Sequence, residues 1–224
     1  MARRTGIFVT GTDTGVGKTE VGRAAVALLR AEGLSVSVMK PIETGVGQEG
    51  PLDALALREA SGLDDPIDLV CPHQFSLPAA PNAAAEDEGK EVDLPLILSH
   101  YETLRAQRDF VWVEGAGGVL VPVTDDSSMA DLAKALGLPV LLVARASLGT
   151  INHTLLSLAE IERQNLECVG VVISHSPEPT SPADLKNLEV LRKTLGPRLL
   201  GELPNLQPGE APHAGWLAPQ SLLD

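Results

Sequence analysis

Cysteine is scarce in this chain: only Cys71 and Cys168 occur in 224 residues. Two isolated thiols give neither a disulfide framework nor the ligand spacing of a zinc site. Both are expected as semi-buried thiols in a reducing compartment. The five histidines, His73, His100, His153, His175 and His213, show no helical metal-ligand pairing either and read as surface or capping residues. Basic residues are also few. Seventeen Lys and Arg face 30 Asp and Glu, a net charge of −13, which argues against general binding to nucleic acid or to an anionic membrane. No apolar run approaches the length of a membrane span. Arg3-Arg4 resembles the start of an export signal, but the apolar residues behind it are few and read as a first strand. A cytoplasmic protein is expected.

What the chain has is the composition of a soluble globular domain, 44% hydrophobic and 21% charged. Its length suits one α/β domain with a sizeable core. Strand and helix signals alternate. Strands are expected at Gly6–Thr10, Ser35–Lys40, Asp109–Glu114, Pro139–Ala144, Cys168–Ser174 and Leu199–Leu203. Helices are expected from Thr19 to Arg30, Asp53 to Ala60, Leu94 to Gln107, Met129 to Leu136, about Asn152 to Gln164, and Ala183 to Leu195. Residues 62–95, rich in Pro, Asp, Glu and Ala, read as an irregular excursion with short helices at its edges rather than a domain linker, and the tail 204–224 as a surface wrap. Continuous apolar strands alternating with helices imply a mostly parallel sheet covered on both faces.

The most informative segment runs from Gly11 to Thr19: Gly-Thr-Asp-Thr-Gly-Val-Gly-Lys-Thr, between a strand and a helix. Glycines let the backbone turn tightly around phosphate oxygens, and the N–H groups of the next helix point at the anion. Lys18 supplies a charge for the β- and γ-phosphates, and the Thr19 hydroxyl suits Mg²⁺. The usual string has glycine five residues before the Gly-Lys pair; here Thr12 stands there and Gly11 lies one residue back. Thr12, Asp13 and Thr14 add polar groups that phosphate alone does not need, and they suit a second substrate beside the γ-phosphate.

In such folds ligands bind at the carboxyl ends of strands. Lys40, fixed by Pro41 at a strand end, is placed to reach the site, on the expectation that its strand lies beside the phosphate-loop strand. Thr44 and Gly45 follow it. Glu114 ends an apolar strand as a metal-holding acid would, with Gly115, Ala116 and Gly117 behind it. Asp53 and Asn152 each read first as an N-cap.

Taken together, these segments resemble the dethiobiotin synthetase family. The resemblance rests on Gly11 to Thr19, Lys40-Pro41, Asp53-Ala54-Leu55, Val113 to Gly118, Leu148 to His153 and Leu200 to Pro204, which span nearly the whole chain. It implies a single-domain P-loop NTPase-like α/β fold and a cyclo-ligase using ATP and Mg²⁺. The implied reaction carboxylates 7,8-diaminononanoate (7,8-diaminopelargonic acid) with CO2 or bicarbonate. A carbamate attacks the γ-phosphate, and the second amine closes the ureido ring. The resemblance further implies catalytic roles for Lys18, Lys40 and Thr14. It implies nucleotide contacts from Thr14, Gly15, Val16, Gly17, Lys18, Thr19, Asp53, Glu114, Gly115, Ala116, Gly117, Pro204, Asn205 and Leu206. Metal ligands would be Thr19, Asp53 and Glu114, and substrate contacts Thr44 and Thr150. It implies a homodimer in which the helix after Leu148–Asn152 of the partner receives the substrate carboxylate.

One departure stands out. The family usually has Asn, often followed by Asp, after the strand ending at Ile173; this chain has Ser174-His175. A serine hydroxyl cannot make an amide's paired contact with adenine. Competing readings are a P-loop switch ATPase of the partitioning type, or a related amide-forming ligase. The first commonly carries an extra lysine early in the loop, absent at positions 12–16; the second usually needs a glutamine-handling domain.

Overall fold

The computed structural model describes residues 3–175, 181–206, 210, 212, 213 and 215–224. In chain order its elements are β1 (Gly6–Gly11), α1 (Lys18–Ala31), β2 (Val36–Met39), β3 (Ile42–Thr44), α2 (Leu52–Ser61), α3 (Ile67–Val70), β4 (His73–Phe75), α4 (Pro81–Asp87), α5 (Leu94–Arg105), β5 (Phe110–Gly118), α6 (Met129–Ala135), β6 (Val140–Arg145), α7 (Thr150–Arg163), β7 (Cys168–Ser174), α8 (Pro182–Leu195), β8 (Leu199–Leu203) and α9 (Gln220–Leu223). Six strands form one parallel sheet in the order β2-β5-β1-β6-β7-β8. A separate parallel pair joins β3 to β4.

β1 is buried along its whole length because it lies between β5 and β6. Alternate residues feed opposite cores, as strand geometry requires. Phe8, Val111, Val113 and Leu142 pack against α5, α6, α7 and α8 through residues such as Ile97, Met129, Ile161 and Leu191. Ile7, Val9, Trp112 and Val143 pack against α1 and α2 through Val21, Leu29, Ala54 and Leu57. Trp216, Leu217, Leu222 and Leu223 of the tail are buried in this second core. The tail is pinned by a bridge from Leu217 to Gly201 and by the Arg4 N–H donating to the Leu223 carbonyl, 2.9 Å.

Three differences from the sequence reading bear on the site. β2 does not lie beside β1; β5 fills that place, and β2 is the outer strand. The β1–α1–β2 crossover skips one position, which a later strand occupies, a choice that no local pattern encodes. Helix α7 begins at Thr150 with Gly149 as its N-cap, so Asn152 lies inside the first turn. Likewise Pro51, not Asp53, caps α2. Apart from these three, the 62–95 stretch holds the short helices α3 and α4, and also the strand β4, which at three residues is too short to show a period.

Within the β1–β5 ladder, Val9 pairs with Glu114 but Gly11 pairs with Gly118. Two extra residues therefore bulge out of β5 just after Glu114. Bulges re-aim the chain beside functional sites, and here the bulge brings Ala116 and Gly117 against the loop after β1.

Candidate active site

A cleft of about 610 Å³ opens at the carboxyl end of the sheet. The loop after β1 forms one wall, and Gly17 with φ 89° turns it into α1. The first N–H groups of α1 have no partners within the helix, which leaves them free for an anion. Of the expected residues, the cleft gathers Thr14, Gly15, Gly17, Lys18, Thr19, Lys40, Thr44, Asp53, Glu114, Ala116 and Gly117.

Other expected residues lie elsewhere. Val16 turns its side chain into the core with α1, and Gly115 is buried inside β5, so each can meet a ligand in the cleft only through its backbone. Pro204, Asn205 and Leu206 follow β8, beside Ser174 and His175: the His175 N–H donates to the Leu203 carbonyl. Thr150 sits at the start of α7, buried, with an unpartnered hydroxyl.

The centre of the cleft is a compact charged cluster. Lys40 Nζ donates to Glu114 Oε1 at 2.6 Å and to Asp53 Oδ2 at 3.1 Å. Thr19 Oγ1 donates to the same Glu114 Oε1 at 2.9 Å. Burial opposes the charge on Lys40, but the Glu114 and Asp53 carboxylates outweigh it and hold the ammonium above the ordinary lysine value. Asp53 resists its own partial burial through Lys40 and titrates below its usual range. Among the described residues Lys18 Nζ donates only to the Asp13 carbonyl, at 3.4 Å. Burial, and then the charge of Lys40, push it down to about 8.

Lys40 reaches this cluster although β2 is not next to β1, because its long side chain extends across the end of the intervening β5. Glu114 is completely inaccessible to solvent. Its Oε1 takes both donors, and its Oε2 has no hydrogen-bond partner. An orphaned buried carboxylate oxygen beside a hydroxyl and a second carboxylate fits a hard divalent cation or its bound water.

Glu43 was not marked by the sequence. Its carboxylate accepts from the N–H groups of Asp53 and Ala54, each at 3.0 Å, at the start of α2. Nothing local signals this, because the helix that it caps begins nine residues later.

A second cleft of about 440 Å³ shares Thr14 with the first and is also lined by Thr12, Asp13, Leu120, Leu156 and Glu160. Arg145 at the end of β6 holds Asp13 at 3.0 Å. On the far side of the loop, Ser174 is buried against Gly17. Next to it, Glu202 accepts from Arg192 through both oxygens (2.5 and 2.7 Å) and from His175 (3.0 Å). Arg192 foremost, then His175, bring the Glu202 carboxyl down to about 2.

Parallel sheet, glycine-rich loop and a buried lysine paired with two acids define a P-loop enzyme that acts on a nucleoside triphosphate. A family model described as an AAA domain matches residues 5–213. Solved structures share the fold at low identity. The MinC:MinD complex of Aquifex aeolicus aligns with TM-score 0.54 at 15% identity, covering 91% of this chain and 82% of that one. The receptor FtsY of Elizabethkingia anophelis aligns with TM-score 0.56 at 14% identity, covering 92% and 58%. Sequence relatives are much closer. The ATP-dependent dethiobiotin synthetase of Anaeromyxobacter dehalogenans is 50% identical over 84% of this chain and 85% of its own length. Those of Thermodesulfovibrio yellowstonii and Bacillus cereus are 39% and 38% identical, covering 91% and 89% of this chain and 90% and 83% of theirs. The chain belongs to the ATP-dependent dethiobiotin synthetase family.

Proposed function

We propose that this protein closes the ureido ring of dethiobiotin in biotin biosynthesis, from 7,8-diaminononanoate, CO2 and ATP, with ADP and phosphate released. The observation that carries the reading is the Lys40–Glu114–Asp53–Thr19 cluster facing the phosphate loop across one cleft, in a chain 50% identical to a curated synthetase.

One substrate amine captures CO2 as a carbamate. A carbamate oxygen attacks the γ-phosphorus, ADP leaves, and the second amine attacks the resulting anhydride carbonyl and expels phosphate. No protein nucleophile is required; positioning and electrostatics carry the chemistry. An ammonium has three N–H donors. Lys40 spends two on Glu114 and Asp53, and the third is available to a carbamate oxygen. Lys18 at the loop neutralises the transferring phosphoryl group. Thr14, between the two clefts, and Thr44 orient the diamine. Thr19, Asp53 and Glu114 would hold Mg²⁺, which supplies charge neutralisation at the β- and γ-phosphates. The segment 204–206 beside Ser174 is our assignment for reading the base through its backbone.

The protein acts as a homodimer in the cytoplasm in this reading. Support comes from exposed leucines around the second cleft and the start of α7: Leu148 is 77% exposed and Leu156 62%, with Leu120 exposed in the same lining and Leu155 exposed next to Leu156. The N–H groups at the start of a partner's α7 suit the substrate carboxylate.

The test is phosphate release from MgATP and bicarbonate, with and without 7,8-diaminononanoate, with dethiobiotin followed by mass. Diamine-dependent release matched by dethiobiotin supports the assignment. A folded, ATP-binding protein indifferent to the diamine overturns it.

A further inference from the structure

Helix α2 starts without a capping side chain of its own, since Pro51 stands at its N-cap. Two of its first-turn N–H groups are instead taken by Glu43, one by each carboxylate oxygen, at 3.0 Å. Glu43 is buried, and it is held in the ladder of β3 and β4, where it pairs with Gln74. One of the two N–H groups belongs to Asp53, whose side chain contacts Lys40 at 3.1 Å. A continuous path thus runs from the β3–β4 pair, through Glu43, to the backbone of Asp53 and on to the charged cluster.

We infer that Glu43 is a positioning residue that fixes the Asp53 carboxylate for the metal–nucleotide complex. The inference rests on the reading of Asp53 as a metal ligand. A charged cap satisfies orphan donors strongly and in one geometry. Without it the first turn of α2 is free to fray, and the Asp53 carboxylate no longer has a fixed backbone beneath it. Glu43 borders the cleft and feels the charge of Lys40, but it makes no side-chain hydrogen bond or ion pair to Lys40, Lys18 or Glu114 among the described residues, so its hydrogen-bonded path to the cluster runs through Asp53.

The experiment is a double-mutant cycle with Mn²⁺ as the probe, titrated into the ATP-bound protein and followed by electron paramagnetic resonance. Its members are wild type, Glu43→Gln, Asp53→Asn and the double variant. Glutamine keeps the shape of Glu43 but turns one acceptor into a donor. Glu43→Gln is expected to weaken Mn²⁺ binding roughly ten-fold, the scale of one lost charge-assisted hydrogen bond. ATP affinity measured in EDTA stays unchanged. Glu43→Gln has no further effect once Asp53→Asn is present. Wild-type Mn²⁺ affinity in Glu43→Gln, or additive losses in the double variant, would overturn the inference. Glu43→Asp, which keeps the charge but is one methylene too short to span both N–H groups, is the second variant should the glutamine protein fail to fold. It is expected to lose Mn²⁺ affinity likewise, and full retention counts against the idea. In turnover, Glu43→Gln should raise the Mg²⁺ concentration for half-maximal rate while kcat recovers at saturating Mg²⁺. A wild type that ignores the diamine would sink the assigned reaction, whereas the Mn²⁺ cycle would still decide the role of Glu43.

Discussion

Lys40 Nζ and Glu114 Oε1 are 2.6 Å apart, and neither side chain is more than marginally accessible to water. Such a pair is weak as a source of stability but costly to break on one side. The carboxylate left behind has no solvent to turn to. This couples the proposed chemistry of Lys40 to the integrity of the site.

Lys40→Ala is therefore expected to show two effects. Turnover should fall by roughly 10²–10³, the usual loss for one electrostatic donor, with much less change in ATP affinity. Stability should fall by about 3–5 kcal/mol, as for other broken buried pairs. Single-turnover kinetics, ATP titration and urea unfolding separate them. Equal loss of ATP binding and turnover would make Lys40 a nucleotide-binding lysine only.

Gly17 has φ 89°, and a Cβ there would lie 2.3 Å from Ser174 Oγ. Gly17→Ala should cost about 1–2 kcal/mol for the left-handed backbone alone, with a further loss from the clash. Adding Ser174→Gly should restore only the clash part. Thermal unfolding of the two variants measures this, and a double variant no better than the single would refute the contact.

Glu202 supplies a pH dependence. Its folded value of about 2 lies below its ordinary 4.5. Between those values the unfolded chain binds the proton and the folded chain does not, so stability falls as pH falls. The stability gap between wild type and Glu202→Gln should be constant above about pH 5 and shrink from pH 4.5 toward 2. Denaturation across that range tests it; a gap independent of pH would discard the Arg192–Glu202–His175 cluster as a stabilising unit.

Leu156→Glu places a charge on an apolar surface beside the second cleft. In the dimer reading it yields a monomer by light scattering, with diamine-dependent turnover lost and ATP binding kept. A dimer that survives this change, or an active monomer, removes the shared site.

Much of the site was legible because its parts are short-range. The loop from Gly11 to Thr19 needs only a strand before it and a helix after it, and Lys40, Asp53 and Glu114 each end or open a segment with a clear pattern. The order of the strands was not legible: β2 lies beyond β5 because of a crossover that packing selects, not β2's own residues. Glu43 escaped for a related reason, since its partners exist only once α2 has docked on β3. The start of α7 was misread because Asn152 has the chemistry of a cap, whereas Gly149 has the backbone for one, at φ 90°.

Ser174 ends β7 with its hydroxyl so close to the glycine at the start of α1 that a Cβ on Gly17 would lie 2.3 Å from it. A longer side chain pointing the same way would press on Gly17. The end of β7 and the phosphate loop thus share one close approach, so a change at position 174 acts directly on the shape of that loop.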